Sequence, residues 1–390
     1  MDGNNNQFGQ QSYARELNEQ LSRSYQQPAQ DYSGQYGYPQ YGTPQYVYPQ
    51  YGMPQPPSFD QRAAKKHFSK IGMSYFVFWI LTIIAGNAAA LVLYFIDPDI
   101  TDNYLIRILA AILPMYLIGA PVCWLMMMRV PAEKPEKTRW SFWQIVGGFI
   151  VAYSLMYLGS IIASYIGAFI ESFFPDAQAA TNDVQELVLT GEMWVNVLAM
   201  VMIGPVVEEL LFRKLLCDRL KPFGDWVTII VTGLMFGVFH GNITQGIYAF
   251  FFGAFLAYVY LRTGNILITI GYHVVANFMG SVLPLLVLTS VDVDGFDEIL
   301  SSGDLYAISD FVGDHAEMFL LYGFYVMLIL GLMAAGIVIV IVTLARRRVI
   351  IKPGRISIPS GKRFTTIIVN VGMILFLIGG IFEILYSTFG

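Results

Sequence analysis

Residues 194–217 read WVNVLAMVMIGPVVEELLFRKLLC. As a helix this run is long enough to cross a bilayer core, yet it carries Glu208, Glu209 and Arg213. Ionisable groups at membrane depth are costly, and where they occur they mark a functional site by default. Two further apolar stretches downstream carry polar residues in the same manner: Phe236 with His240, and His273 with Asn277. A helical bundle built from about Trp194 to Leu288 would bring together two carboxylates, two imidazoles and an amide, an inventory suited to general acid/base chemistry.

The rest of the 390-residue chain agrees with a membrane setting. It is 55% hydrophobic and 13% charged, with mean hydropathy +0.54, far more apolar than a soluble domain of this length. Spanning runs are read at 71–96, 104–128, 142–170, 194–217, 226–243, 245–261, 265–288, 319–345 and 364–388. The expected fold is an all-α, polytopic transmembrane bundle of about 8–9 spans, the pair around 226–261 being the shortest. Four segments follow: a tail over 1–65, N-terminal transmembrane helices over 66–190, a catalytic core over 191–290, and an acidic outer loop with C-terminal helices over 291–390.

Charge alternates between successive loops. Lys and Arg gather at Arg62–Lys70, Arg129–Arg139, Arg213–Lys221, Arg262 and Arg346–Arg348, whereas 97–103, 171–193 and 289–318 hold Asp and Glu but no Lys or Arg. The positive-inside rule places the N-terminus in the cytoplasm and the C-terminus outside a cell membrane, with membrane lipid as the constant partner. The net charge of −5 and the siting of the basic residues at membrane boundaries give no sign of nucleic-acid binding. Cys123 and Cys217 both fall in or at the end of spans on the basic side, so neither a disulfide nor a cysteine metal motif is expected. The first 60 residues lack the apolar core of a cleavable signal. They carry four copies of a five-residue unit, from Tyr36-Gly-Tyr-Pro-Gln40 to Tyr51-Gly-Met-Pro-Gln55. Pro, Gln and Gly in this density predict a disordered tail, either a solubilising leader or a docking segment for a protein partner.

Each polar cluster has a plain structural reading beside the functional one. Glu208 and Glu209 point about 100° apart on a helix and need not share a task. Glu209 and Arg213 are spaced i,i+4 with the acid first, the favourable order for an ion pair, and read as a structural clamp. Glu208 lacks that partner and is the better candidate for chemistry. A lone histidine such as His240 is commonly an interfacial hydrogen-bonding residue, and His273 with Asn277 would serve as a polar helix contact. Glu383 is read as an acid near an outer helix end, able to reach water. Asp310, Asp314 and His315 are read as a solvated loop, and Gly253 with Ala257 as a small-residue packing seam. Three polar motifs in successive spans form a stronger signal than any one.

Glu208-Glu209-Leu-Leu-Phe-Arg213, Phe236-Gly-Val-Phe-His240 and His273-Val-Val-Ala-Asn277 together resemble the motifs of the CAAX-protease and bacteriocin-processing (Abi) group of intramembrane endopeptidases. The resemblance covers roughly 194–285. It implies hydrolysis of a peptide bond in a peptide or protein substrate by activated water. Glu208 would be the general base, His240 would hold or polarise the water, and His273 and Asn277 would stabilise the oxyanion. Glu209, Arg213 and Phe236 would support the site. Glu208, His240 and His273 could also supply three ligands to a catalytic zinc, as the metalloprotease label of some family members implies, although there is no His-Glu-x-x-His motif.

Two other function classes compete with peptidase. A catalytically silent scaffold would use the same bundle to bind a cell-envelope enzyme, and a transporter would use the acids and histidines as a proton relay, although no inverted repeat is evident. One geometric tension accompanies the peptidase reading. At ~1.5 Å per residue, Glu208 and His273 lie ~12–14 Å from the basic ends of their helices and His240 ~21 Å from Trp226.

Overall fold

The computed structural model describes residues 59–175, 177, 193–288 and 299–389. The Tyr-x-x-Pro-Gln repeats, and with them the expected disorder and docking role of the tail, lie outside the described residues. So do parts of both long acidic loops. The chain divides into Met1–Gln61 and a unit over Arg62–Gly390, and the second carries everything below.

Among the described residues the chain is helical, with a single isolated β-bridge between Gly224 and Pro353. Seven helices are long and apolar enough to cross a membrane: α1 (Gln61–Ile96), α2 (Tyr104–Met127), α3 (Phe142–Phe173), α4 (Met193–Phe223), α6 (Ile243–Thr263), α9 (Ala316–Ala345) and α10 (Val371–Phe389). Two shorter apolar helices, α5 (Asp225–Phe239) and α7 (Ile266–Val282), account for the remaining runs, and α7 continues through Leu283–Leu288. Large apolar side chains stand exposed along the outer helices, among them Leu91, Phe95, Leu320, Phe324, Ile341 and Phe382. Such surface has no place in water and fits lipid. This is an integral membrane protein.

Local chemistry sets the helix ends. Ser141 and Gln144 form a reciprocal capping box that starts α3. Asn242 and Asn265 cap α6 and α7 through their side-chain oxygens. Between α6 and α7, Gly264 adopts φ +59°, the left-handed conformation that ends a helix and lets the next begin at once. A Cβ there would lie 2.6 Å from Glu136 O, because the loop after α2 passes directly across this turn.

That crossing belongs to a layer at one end of the bundle, where the Lys- and Arg-bearing loops meet. Glu133 N–H donates to Asp218 O, Thr138 N–H to Thr263 O and Ile356 N–H to Pro222 O. Lys221 and Arg355 both pair with Glu133, and Arg262 pairs with Asp225. The basic loops therefore share one end, as their alternation along the chain requires.

The same layer bears on the depth of His240. Asp225, the first residue of α5, is buried and accepts the Lys352 N–H, so the helix starts beneath the loop over 349–358. After 15 residues, about 22 Å of helix, it ends in the turn His240–Gly241–Asn242, where Gly241 has φ +70°. His240 thus belongs to an interhelical turn and not to the interior of a run extending to 243.

A second difference concerns the acidic connector. Leu305–Asp314 is a helix (α8), started by the Asp304 side chain accepting from Tyr306 and Ala307 N–H. Asp310 and Asp314 lie on it and His315 caps its end, where a loop was expected. The Asp cap and the apolar spacing of Leu305, Ile308 and Phe311 explain why.

Candidate active site

The polar residues sit where the helices depart from regular geometry. In α4, π-helical turns over Val197–Ile203 and Leu210–Cys217 flank the α-helical Gly204–Glu209. Pro205 supplies a reason for the first, since it lacks an N–H and crowds the carbonyl one turn earlier. α7 widens in the same way over Phe278–Val282, directly after Asn277. Wide turns of this kind recur at functional sites because they re-aim side chains.

Glu209 and Arg213 are both completely buried, with Arg213 Nε 2.9 Å from Glu209 Oε2. The approach is oblique to the N–H, so the contact is an ion pair and not an aligned hydrogen bond. The guanidinium also lies over the Phe236 ring, 5.0 Å from its centroid, a cation–π contact that is stronger when desolvated. Glu209 does more than its spacing suggested. Its Oε1 lies 3.1 Å from His273 Nδ1, so one carboxylate joins α4 to α7. The other oxygen of Glu209 faces the Arg213 guanidinium, and a carboxylate in such an ion pair can only accept, so Nδ1 carries the proton.

The opposite nitrogen of that ring, Nε2, points toward Glu208 Oε2 at 3.8 Å. This is beyond hydrogen-bond reach and within the span that a water can bridge. Glu208 Oε2 is itself buried and has no hydrogen-bond partner among the described residues. His240 completes the group: its Nδ1 lies 2.7 Å from Phe236 O. A carbonyl can only accept, so Nδ1 is the donor and Nε2 is left with a lone pair. Glu208 and His273 both lie within electrostatic range of His240.

Phe236 is the packing hub. Its ring meets His240 edge-on at 4.8 Å, His273 at 5.8 Å and Phe212 at 4.9 Å, and Phe252 adds a further edge contact to His273 at 5.3 Å. Gly253 makes room for it, since a Cβ there would lie 2.6 Å from Phe236 Cδ1. Gly253→Ala is therefore expected to push Phe236 out of register and cost about 1–3 kcal/mol by overpacking. A thermal unfolding midpoint equal to that of the parent would show that the ring is not so confined.

Asn277 stands half-buried one turn beyond His273, and its Nδ2 donates to Met200 O at 2.9 Å. One of its two N–H groups thus ties α7 to the wide turn of α4. Glu208, His240 and His273 come together around one centre, with Glu209, Arg213 and Phe236 behind them, and Asn277 follows one turn along α7. Glu383 instead packs beside the turn, where a Cβ on Gly241 would lie 3.6 Å from its Cβ. Phe252 was not flagged by sequence reasoning, because one more aromatic in an apolar helix carries no signal. Among the described residues no three His, Cys, Asp or Glu side chains are arranged to hold a metal ion.

The sequence profile of the type II CAAX prenyl endopeptidase Rce1-like family matches residues 190–279, the segment that contains every one of these groups. The match supports the CAAX-protease and bacteriocin-processing family for this segment. It is also 26% identical over 136 residues to a Bacillus subtilis (strain 168) protein named "Putative membrane peptidase YdiL". That alignment takes in 35% of this chain and 52% of the relative, so the chain spans about half the length of the curated protein it matches. No solved structure matches the chain.

Proposed function

We propose that this protein is an intramembrane endopeptidase that hydrolyses a peptide bond in a membrane-embedded or membrane-bound protein substrate, with Glu208 as general base. The observation that carries this reading is the buried, unpartnered Glu208 Oε2 facing His273 Nε2 across 3.8 Å. Leaving a buried carboxylate oxygen unsatisfied costs stability, and a site that binds water or substrate there recovers it. The membrane-peptidase name of the relative and the endopeptidase profile over 190–279 support the same reaction class.

The proposed step uses protein groups alone. A water between Glu208 and His240 gives one proton to Glu208 and points its other hydrogen at the free Nε2 of His240. Its oxygen adds to the scissile carbonyl carbon, and the carbonyl electrons move onto oxygen. The second N–H of Asn277 would face that oxyanion, a donor of the kind that stabilises developing charge, beside the His273 ring that Glu209 holds through Nδ1–H. Glu208 then returns the proton to the amide nitrogen as the C–N bond breaks, which balances the reaction. Glu209 holds the His273 ring, and Arg213 holds Glu209. By the positive-inside rule the basic loop layer faces the cytoplasm, in a cell membrane.

Two tests address the reading. Comparing protein termini in cells carrying the intact chain and Glu208→Ala should reveal peptides that appear only with the intact chain. An unchanged set of termini removes the peptidase reading. Asn277→Ala should retain substrate capture but lower turnover roughly 100- to 1,000-fold, whereas a scaffold would support the cellular phenotype at parent level with the same substitution. Pull-down and cleavage measured on one preparation separate these outcomes.

A further inference from the structure

Glu208 has a second oxygen, and α2 places a hydroxyl beside it. A methyl group built on Gly204, one turn before Glu208, would lie 3.1 Å from Ala199 O, 3.6 Å from the Tyr116 hydroxyl and 3.9 Å from Glu208 Oε1. The hydroxyl and carboxylate oxygens therefore border one space, about the size of a single methyl group, which the missing Cβ of Gly204 leaves open. The two groups also interact electrostatically, and the phenol makes no hydrogen bond to a described residue.

The placement follows from how α2 meets α4. Ile108 is packed against Val195 and Ala199, and Tyr104, Ile112 and Met200 flank that cluster. Tyr104, Ile108, Ile112 and Tyr116 are spaced four apart, so one face of α2 runs along α4 and reaches Gly204 at its fourth member. Pro114 then removes a backbone donor and the helix widens over Met115–Gly119, a turn that re-aims the side chain at 116. The far side of this turn is held against α1: a Cβ on Gly119 would clash with Thr82 and Phe78. Tyr116 is half-buried in the middle of a spanning helix, not at a helix end where membrane-interface tyrosines collect.

We infer that Tyr116 is a positioning residue for Glu208: its hydroxyl donates, through one water in the space at Gly204, to Glu208 Oε1 and leaves Oε2 to take the proton of the attacking water. The inference rests on the peptidase reading and extends its site beyond residues 190–279, to a helix outside the segment the family profile covers. A phenol suits the task. It donates one hydrogen bond, and with an ordinary pKa of about 10 it does not compete as a base near neutral pH. A carboxylate held at one oxygen presents the other in a single orientation, the condition for efficient proton transfer.

The test uses the purified full chain and a peptide spanning a terminus that appears in cells with the intact protein and not with Glu208→Ala. Tyr116→Phe keeps the ring and removes only the hydroxyl. It is expected to lower kcat about 10- to 100-fold, the range for losing a hydrogen bond to a charged group, with KM within about twofold and the unfolding midpoint unchanged. Gly204→Ala fills the shared space and should lower kcat similarly. Adding it to Tyr116→Phe should cost little more, since both remove one interaction. A Tyr116→Phe protein with the parent kcat, or one whose loss follows a lowered unfolding midpoint or a raised KM, overturns the inference while cleavage by the parent leaves the peptidase reading standing. A parent chain without Glu208-dependent cleavage removes that reading first, and this role with it.

Discussion

Glu208→Gln is expected to lower peptide cleavage by about 100- to 10,000-fold, the usual contribution of a general base, while the unfolding midpoint stays at the parent value or rises. The physical reason is the state of the side chain. Glu208 is 21% exposed, its Oε2 has no hydrogen-bond partner, and the nearest basic nitrogen is 3.8 Å away. Replacing this carboxylate by an amide of the same shape removes the proton acceptor and breaks no ion pair. Turnover of a defined peptide and thermal unfolding in the same detergent check both halves. Turnover within a few-fold of the parent would refute the assignment of Glu208 as base.

Arg213→Ala has the largest expected effect on stability. Both members of the Glu209–Arg213 pair are 0% exposed, and truncating one partner of a buried pair typically costs about 3–5 kcal/mol, because the other charge is left without compensation. Here the consequence spreads, since Glu209 also holds His273. A lower unfolding midpoint, a reduced yield and a loss of cleavage are expected together. Removing both charges, as in Arg213→Ala with Glu209→Ala, should recover part of the stability and none of the activity, because the uncompensated carboxylate is gone but His273 has lost its hold. A stability of Arg213→Ala equal to the parent would show that water reaches the pair.

The two substitutions are expected to affect different properties, although Glu208 and Glu209, the partner of Arg213, are adjacent in the chain. Successive residues on a helix diverge by about 100°, so Glu209 faces the protein interior while Glu208 faces the gap between α4, α5 and α7. Their different surroundings were readable in the sequence, through the i,i+4 partner that one acid has and the other lacks. The link from Glu209 to His273 was not. It joins residues 64 positions apart, and no local spacing reports the rotation of one helix against another.

Other particulars divide along the same line. The Phe236 and His240 pair is one helical turn long and readable as such, whereas its position against His273 depends on Gly253 leaving room for the ring. The commitment of one Asn277 N–H to Met200 O depends on the wide turn before Pro205 exposing a carbonyl to α7. Tyr116 had no sequence signal toward catalysis, because a tyrosine in an apolar helix is unremarked until a neighbouring helix brings a carboxylate to it. The helix over Leu305–Asp314 was missed because the acidic count of the connector outweighed its Asp304 cap.

By itself the amino-acid sequence determined the all-α membrane class, the order of the spans, the gathering of basic loops and the identity of the polar groups along each helix face. These follow from length, hydropathy and the 3.6-residue turn, which are properties of single segments. Only the tertiary structure decided depth and pairing between helices: that α5 begins beneath the loop over 349–358, that Glu209 grips His273, and that Tyr116 shares the space at Gly204 with Glu208. Those relations are set by where glycines permit close approach and where prolines widen a turn. Their effect depends on the residue on the facing helix, which no single segment specifies.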